Sequence, residues 1–423
     1  MKKPDPSPSY TEARERFAHW QVDTDTALET LDQHPISLHC WQGDDVAGFE
    51  SNAALGGSGL VATGAYPGKA RNFDELRQDL EMAGAVIPGP LRLNLHAIYP
   101  SDLPKPVERT DLQFDHFRSW VQWAVSRGWG LDFNPTCFNH PQAADGFTLS
   151  HPDAAVRQFW IDHCRACRRI AAGMARETGG PVVHNLWIPD GYKDRPADRH
   201  APRLRLEASL QAILSGGTDG NNGSAVLDSV ESKLFGIGVE SFTVGSHEFY
   251  LGFAARHQIG LCLDAGHFHP TETLADKISA VLPFVPFILL HLSRGVRWDS
   301  DHVVTLDDPT REVLEEVATD GIRQRVHLGL DFFDASINRV AAWAIGARNV
   351  RKGLLLGLLQ PRALLRAAEA DGDLTDRLAL FEDSRSLPWG AIWEEYCRRH
   401  QTPPDRQWLE EVRRYEDRVL RTR

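Results

Sequence analysis

Carboxylates and imidazoles recur at positions where buried strands should end. Glu231 and Lys233 stand in VESKLFG, Asp264 and His267 in LDAGHFHP, His291 in LLHLSR, Asp299 and Asp301 in RWDSDHVV, and Asp331 in LGLDFF. Side chains alternate along an extended chain, so residues i and i+2 share a face. Glu231 and Lys233 therefore point the same way, as do Asp299 and Asp301 if their segment is extended. Five carboxylates and two imidazoles cannot crowd one pocket as bare ions, because like charges raise each other's pKa. Divalent cations resolve the conflict. An oxygen-rich set with some imidazole suits Mn²⁺, Mg²⁺ or Co²⁺ better than a thiolate zinc site does. Seven ligands suggest two ions: Glu231, Asp264, His291 and Asp331 for the first, and His267, Asp299 and Asp301 for the second. Taken singly, Asp264 or Asp331 reads as a helix cap, and a lone core histidine as a structural hydrogen-bonder. Four successive strands that each end in a ligand type are more than packing requires.

The elements that must position these groups alternate along the chain. Strand candidates are 36–41, 92–99, 130–135, 181–189, 228–236, 259–267, 287–294 and 325–333, with helical periodicity between them. Eight strands alternating with helices imply parallel pairing and right-handed crossovers. Eight is also the number that closes a TIM-type (β/α)8 barrel, whose catalytic groups come from the C-terminal ends of strands. An open doubly wound sheet is the rival, but neither GxGxxG nor a P-loop lysine motif sits at a strand–helix turn. The expected organisation is a helical segment at 1–35, a catalytic barrel at 36–338 and a helical extension at 339–423. Two short helices are expected before the barrel, the second capped by Asp23 or Thr24. GTDGNNGS (217–224) reads as a loop.

Composition narrows the function. The 423 residues carry a formal net charge of −12, with 42% hydrophobic and 25% charged residues. Excess acid disfavours a nucleic-acid backbone as partner, and no apolar run reaches membrane-spanning length. The start, MKKPDPSPSYTEARERF, lacks a signal peptide's apolar core, so the expected compartment is the cytoplasm. Six cysteines in so long a chain are no disulfide scaffold. The Cys164–Cys167 CxxC sits on a helical pattern and reads as two thiols on one helix rather than as a redox or zinc motif.

Other strand ends supply pocket candidates: Trp41, His96, Asn134, Trp187 and Asp190. Trp187 and Phe333 could stack on a sugar's apolar face, while His96 and Lys233 could hydrogen-bond its hydroxyls. Core packing is the competing reading for each tryptophan. His269 in HFHP is expected at the surface or behind the ligands.

These residues lie in longer stretches: LHCWQGDDVAGFE (38–50), YPGKARN (66–72), LNLHAIY (93–99), LDFNP (131–135), GFTLSHPD (146–153), WIPDG (187–191), ESKLFGIG (231–238), LCLDAGHFHPTE (261–272), RWDSDHVV (297–304) and GLDFFDASINR (329–339). In that order, over nearly the whole chain, the sequence resembles the L-rhamnose isomerase family. The resemblance implies a (β/α) barrel that interconverts L-rhamnose and L-rhamnulose. It implies two divalent ions, typically manganese with zinc, cobalt or magnesium as alternatives, and a homotetramer. It places Glu231, Asp264, His291 and Asp331 on a structural ion, and His267, Asp299 and Asp301 on a catalytic one. Lys233 and Asp331 match residues that contact substrate or metal-bound water, so that Asp331, Lys233 and His267 are the catalytic candidates. His96 and Trp187 match pocket positions.

The expected reaction moves hydrogen between C1 and C2 of an open-chain sugar. A metal-assisted hydride shift is favoured over a cis-enediol, which would need a positioned base near C2. A two-metal hydrolase or phosphodiesterase on a similar barrel is the alternative, because such enzymes gather the same residue types. The acidic net charge, the lack of a basic stripe and the tryptophans favour a sugar. A non-catalytic sugar-binding protein would not need two ions.

Overall fold

The computed structural model describes residues 7–50, 62–103, 105–215, 226–233, 241–269, 271–296 and 301–423. Eight strands are parallel: β1 (Ile36–His39), β2 (Leu91–His96), β3 (Gly130–Asn134), β4 (Val182–Trp187), β5 (Val226–Glu231), β6 (Gly260–Asp264), β7 (Ile288–Leu292) and β8 (Val326–Leu330). Ladders run in the order β3-β2-β1-β8-β7-β6-β5-β4. The first and last strands in sequence pair, Ile36 with Leu328 and Ser37 with Gly329, so the sheet curls into a nearly closed barrel. Every expected strand is present, and each falls within or close to its expected span. The loop expected at 217–224 lies outside the described residues.

Among the described residues, the one junction without a ladder is β3 against β4. Side chains bridge it. Asp132 Oδ1 accepts from the Val183 N–H at 3.0 Å, and Arg92 donates to the Leu131 and Pro181 carbonyls at 2.5 and 2.6 Å. Arg92 also grips both Asp132 oxygens, at 3.0 and 2.8 Å, and Ser37 donates to Asp132 at 2.7 Å. Gly130 makes room for this arginine, since a Cβ there would meet Arg92 Nη1 at 2.3 Å.

Helices surround the sheet. Preceding it are α1 (Pro8–His19) and α2 (Thr24–Leu31), the latter capped by Asp23, which accepts from the N–H groups of Asp25 and Thr26. Between strands lie α3 (Phe73–Val86), α4 (Arg118–Arg127), α5 (Ala154–Thr178), α6 (His200–Ser215), α7 (His247–His257), α8 (Leu274–Val281) and α9 (Asp308–Val317). Helices α4 and α5 both stop at glycines in the left-handed region, Gly128 at φ 68° and Gly179 at φ 69°. After β8 come α10 (Arg339–Leu358), α11 (Arg362–Ala370), α12 (Leu374–Ser384), α13 (Trp389–Arg399) and α14 (Gln407–Arg418).

Helix α10 packs against α3 and α9 and is buried on most of its surface. Its Arg351 donates to the carbonyls of Leu31, His34 and Pro90, tying α2 to the base of β2. At the chain end, Arg423 and Tyr415 converge on Asp79 of α3. All six cysteines are buried free thiols. The CxxC lies along α5, as its helical spacing indicated, and Cys164 approaches Cys137 at 3.8 Å.

The barrel's interior is layered. Val183, Cys262, Phe287 and Leu289 form an apolar plug with Leu227 against it. One strand step above Cys262 and Leu289 stand Asp264 and His291, on the same face by alternation. The plug therefore seals the floor beneath the polar cluster.

The Arg92–Asp132 pair is nearly dry, and removal of one partner strands the other's charge. Arg92→Met should lower unfolding stability by about 3 kcal/mol, read from chemical denaturation. The paired replacement of Arg92 and Asp132 by apolar residues should cost less than the single change.

Candidate metal centre

Four strands deliver one group each to a single point. Glu231 ends β5, Asp264 ends β6, His291 lies in β7, and Asp331 follows β8. Their ligand atoms all lie within 4.8 Å of one another. His291 Nδ1 is 3.4 Å from Glu231 Oε2, 3.7 Å from Asp264 Oδ2 and 3.1 Å from Asp331 Oδ2. Ladder register makes this possible: Asp264 pairs with His291 across β6 and β7. Gly329 on β8 leaves space for the imidazole, since a Cβ there would sit 3.2 Å from His291 Cδ2.

The neighbouring groups extend the cluster. His267 Nδ1 approaches the other Glu231 oxygen at 3.3 Å, so this carboxylate faces two imidazoles from its two sides. Asp301 lies close by. A Cβ on Gly266 would be 3.0 Å from Asp301 Oδ1 and 3.2 Å from Asp264 Oδ1, so these two carboxylates flank the Gly266 backbone. The Gly266 N–H itself donates to Asp264 Oδ1 at 2.6 Å. Of the second expected ligand set, His267 and Asp301 are thus brought to the centre, and Asp299 lies outside the described residues.

Supporting hydrogen bonds orient the ligands. The Trp41 indole N–H donates to Asp331 Oδ1 at 3.0 Å. Asn185 donates to Glu231 Oε2 at 2.5 Å and is itself held by Ser229 Oγ at 2.8 Å. Asn185 was not among the sequence candidates. Its signal was an amide on a core strand, two residues before Trp187 and therefore on the same face. Cys262 is a further addition, with its sulfur within 4.8 Å of donor atoms on Glu231 and His291.

Electrostatics show what the cluster lacks. Burial would raise the Glu231 carboxyl, but the His291 and His267 imidazoles hold it well below the usual carboxylate range. Burial lifts Asp264 to about 6 against the pull of His267. Burial opposes charge on His291, yet Glu231, Asp264 and Asp331 together raise it well above the usual histidine value. Asp264 Oδ2 and both His291 ring nitrogens are buried without hydrogen-bond partners among the described residues. A divalent cation would satisfy these atoms and neutralise the carboxylates, so the donor set fits one.

A cleft opens above the cluster, lined by Trp41, Val46, His96, Asn134, Phe138, Asn185, Trp187, Glu231, Lys233, His267, His291, Asp301, Asp331 and Phe333. It brings together every proposed sugar-contact residue: Trp41, His96, Trp187, Lys233 and Phe333. Lys233 Nζ lies 5.1 Å from the Trp187 ring centroid, a cation–π contact. Phe138 meets Trp187 edge-on at 5.5 Å. Asp190 is placed differently. It is fully buried away from the cleft, where it accepts from the N–H and hydroxyl groups of both Thr148 and Ser150 and so folds that loop. His269 is exposed, with Nδ1 2.7 Å from Thr271 Oγ1.

Comparison with known proteins decides the family. The L-rhamnose isomerase family model matches residues 6–423. The chain belongs to the L-rhamnose isomerase family. It is accordingly an enzyme of the aldose–ketose isomerase class. The L-rhamnose isomerase of Cronobacter sakazakii is 59% identical over 411 residues, and that of Salmonella gallinarum 58% identical over 411, with 97% of each chain covered in both cases. Among solved structures, a D-tagatose 3-epimerase-like protein aligns with a TM-score of 0.45 at 13% identity, covering 64% of this chain and 90% of its own. The 3-keto-D-glucoside 4-epimerase of E. coli aligns at 0.43 and 11%, covering 77% and 98%. The L-rhamnose isomerase family is metal-dependent, and the cluster on β5–β8 is a candidate site for its metal. Family membership also removes the hydrolase alternative.

Burial holds a proton on Asp264 to about pH 6, and the surrounding groups hold one on His291 well above the usual histidine value, so protons compete with the cation at Asp264 below pH 6 and at His291 above it. Mn²⁺ affinity of chelator-treated protein should therefore fall as pH falls on both sides of pH 6, and more steeply below it, by up to about a further tenfold per unit. Competition with a fluorescent chelator measures this. Asp264→Asn should remove the added steepness.

Proposed function

We propose that the protein interconverts L-rhamnose and L-rhamnulose by a hydride shift between C1 and C2 of the open-chain sugar, assisted by two divalent ions per subunit, with Mn²⁺ the first choice. Glu231, Asp264, His291 and Asp331 hold one ion; His267, Asp299 and Asp301 hold the other. Bound there, the ions would anchor O1 and O2, polarise the carbonyl and stabilise developing alkoxide charge.

One observation carries the hydride-shift reading. Every carboxylate that lines the cleft among the described residues, Glu231, Asp301 and Asp331, belongs to the proposed ligand set. None is set aside as a base for the C2 hydrogen, and His96, the cleft imidazole outside that set, is made a weak base by burial, at about 4; an enediol route would require a positioned carboxylate or histidine. The chain's own groups bind and orient. Trp187 and Phe333 offer apolar faces to the sugar. Lys233, held over Trp187, presents a cation to its oxygens. Burial depresses the His96 imidazole to about 4, so it meets the sugar as a neutral hydrogen-bonding group. Trp41 contributes by fixing Asp331 rather than by stacking alone.

We assign catalysis to the barrel at 36–338, braced by the helical segments 1–35 and 339–423. A cytoplasmic setting is part of the proposal; no helix among the described residues is long and apolar enough to cross a membrane. A homotetramer is the proposed assembly. Leu374, Leu378 and Phe381 form an exposed apolar stripe on α12 that supports burial against another subunit. Sedimentation should give about four times the 47.3 kDa chain mass, and a monomeric mass would reject it.

Isotope retention tests the reaction. L-Rhamnose deuterated at C2 should yield ketose that keeps the label at C1, whereas exchange into water would point to the enediol. Asp301→Asn tests the ligand set. Losses behind a ligand shell typically reach about 100-fold, so replacing a ligand should lower kcat by at least that factor, with the thermal melt unchanged. Near-normal turnover at saturating Mn²⁺ would refute the assignment.

A further inference from the structure

Thr136, just beyond β3, is buried and has a distinct partner for each of its polar groups. Its N–H donates to His163 Nε2 at 3.0 Å. Its carbonyl accepts from Arg109 Nη1 at 2.8 Å. Its hydroxyl lies 3.1 Å from His96 Nδ1. The arrangement is held rigidly from behind. Arg109 is buried, paired with Glu50 at 3.0 and 2.8 Å, and also donates to the Phe138 and Asn139 carbonyls.

The tautomers follow from who can donate. His163 Nδ1 faces the Arg109 carbonyl at 3.1 Å, and a carbonyl only accepts, so Nδ1 carries the proton. His163 Nε2 is then bare, as the Thr136 N–H requires. The same logic applies to His96. Among the described residues the Thr136 hydroxyl has no contact other than His96 Nδ1, and Thr136 is fully buried. If His96 Nδ1–H donated to the hydroxyl oxygen, the hydroxyl hydrogen would be buried without an acceptor, which costs about 1–3 kcal/mol. The satisfied arrangement has Thr136 donating to a bare Nδ1. The proton of the neutral ring then sits on Nε2, which has no partner among the described residues while the ring lines the cleft. Trp41 and Phe138 meet the ring edge-on, at 4.9 and 5.8 Å, and keep it from turning over.

We infer that Thr136 is a positioning residue for the isomerase: its hydroxyl locks His96 in the tautomer that presents Nε2–H to an oxygen of the bound sugar. The inference rests on the reading that His96 meets the sugar. With the hydroxyl gone, both tautomers become accessible, and one of them offers the sugar a lone pair where it needs a donor.

Thr136→Val keeps the shape and removes the hydroxyl, and Thr136→Ser restores it. Magic-angle-spinning NMR of protein labelled with ¹⁵N-histidine reads which ring nitrogen is protonated, with His96→Gln assigning the signal. The expected wild-type state is protonated Nε2 and bare Nδ1. Thr136→Val should give a tautomer mixture and lower kcat on L-rhamnose about tenfold or more, with KM little changed. Thr136→Ser should recover both. A wild-type His96 protonated at Nδ1, or a valine variant with unchanged tautomer or unchanged kcat, would overturn the inference. If the valine variant fails to fold, the wild-type and serine spectra still decide the tautomer. If His96→Gln itself retains full kcat, it is the pocket role of His96 that fails, while the NMR result judges Thr136 separately.

Discussion

Like charges gathered in a dry place are the constraint on which the rest of the structure depends. Glu231, Asp264 and Asp331 surround a single imidazole at the centre of the barrel, with their donor atoms inside a 4.8 Å span. Such a set is costly without a counter-charge. The protein meets part of that cost with fixed donors: Asn185 on Glu231, Trp41 on Asp331 and the Gly266 N–H on Asp264. Each donor leaves at least one carboxylate oxygen turned inward. The remainder of the imbalance is what a divalent ion would supply, so the cost of assembling the candidate site would also be the source of its affinity. The apolar plug of Val183, Cys262, Phe287 and Leu289 beneath it keeps water from relieving the repulsion from below.

The scaffold exists to hold that cluster in register. Asp264 opposite His291, and Gly329 opposite the same histidine, are consequences of ladder pairing between β6, β7 and β8. Helix α10 and the chain end lock the far side. Arg351 draws the carbonyls of Leu31, His34 and Pro90 together, and Arg423 pins α3 through Asp79. Buried arginines that answer backbone carbonyls do for the outer layer what Asn185 does for the inner one.

Much of this was legible in the sequence, and the reasons differ by residue. The ligands on β5–β8 stood out because an ionisable residue at the end of an otherwise apolar strand has few structural excuses. Strand spans were legible for the same reason, since alternation and apolar content are local properties. Asp190 shared the local signature of a site residue. Its four hydrogen bonds come from Thr148 and Ser150, a loop some forty residues earlier in the chain, and no window on the sequence shows that pairing. Asn185 failed to stand out because an amide in a strand is unremarkable until the β4–β5 register sets it opposite Ser229. Trp41 stood out only as a pocket aromatic. Its hydrogen bond to Asp331 depends on the closure of β1 onto β8, which joins the two ends of the barrel.

The unlatched junction between β3 and β4 divides the barrel's labour. The candidate metal ligands all come from β5 to β8 or the loops that follow them. His96, Asn134, Phe138 and Trp187, which line the cleft, come from β2 to β4 and the loop after β3, around a boundary that side chains hold together. A ladder transmits a shift in one strand to the next, whereas a side-chain bridge absorbs it. The β3–β4 edge is therefore where the cleft can change shape by side-chain rearrangement alone, while Trp187 stays laddered to Glu231.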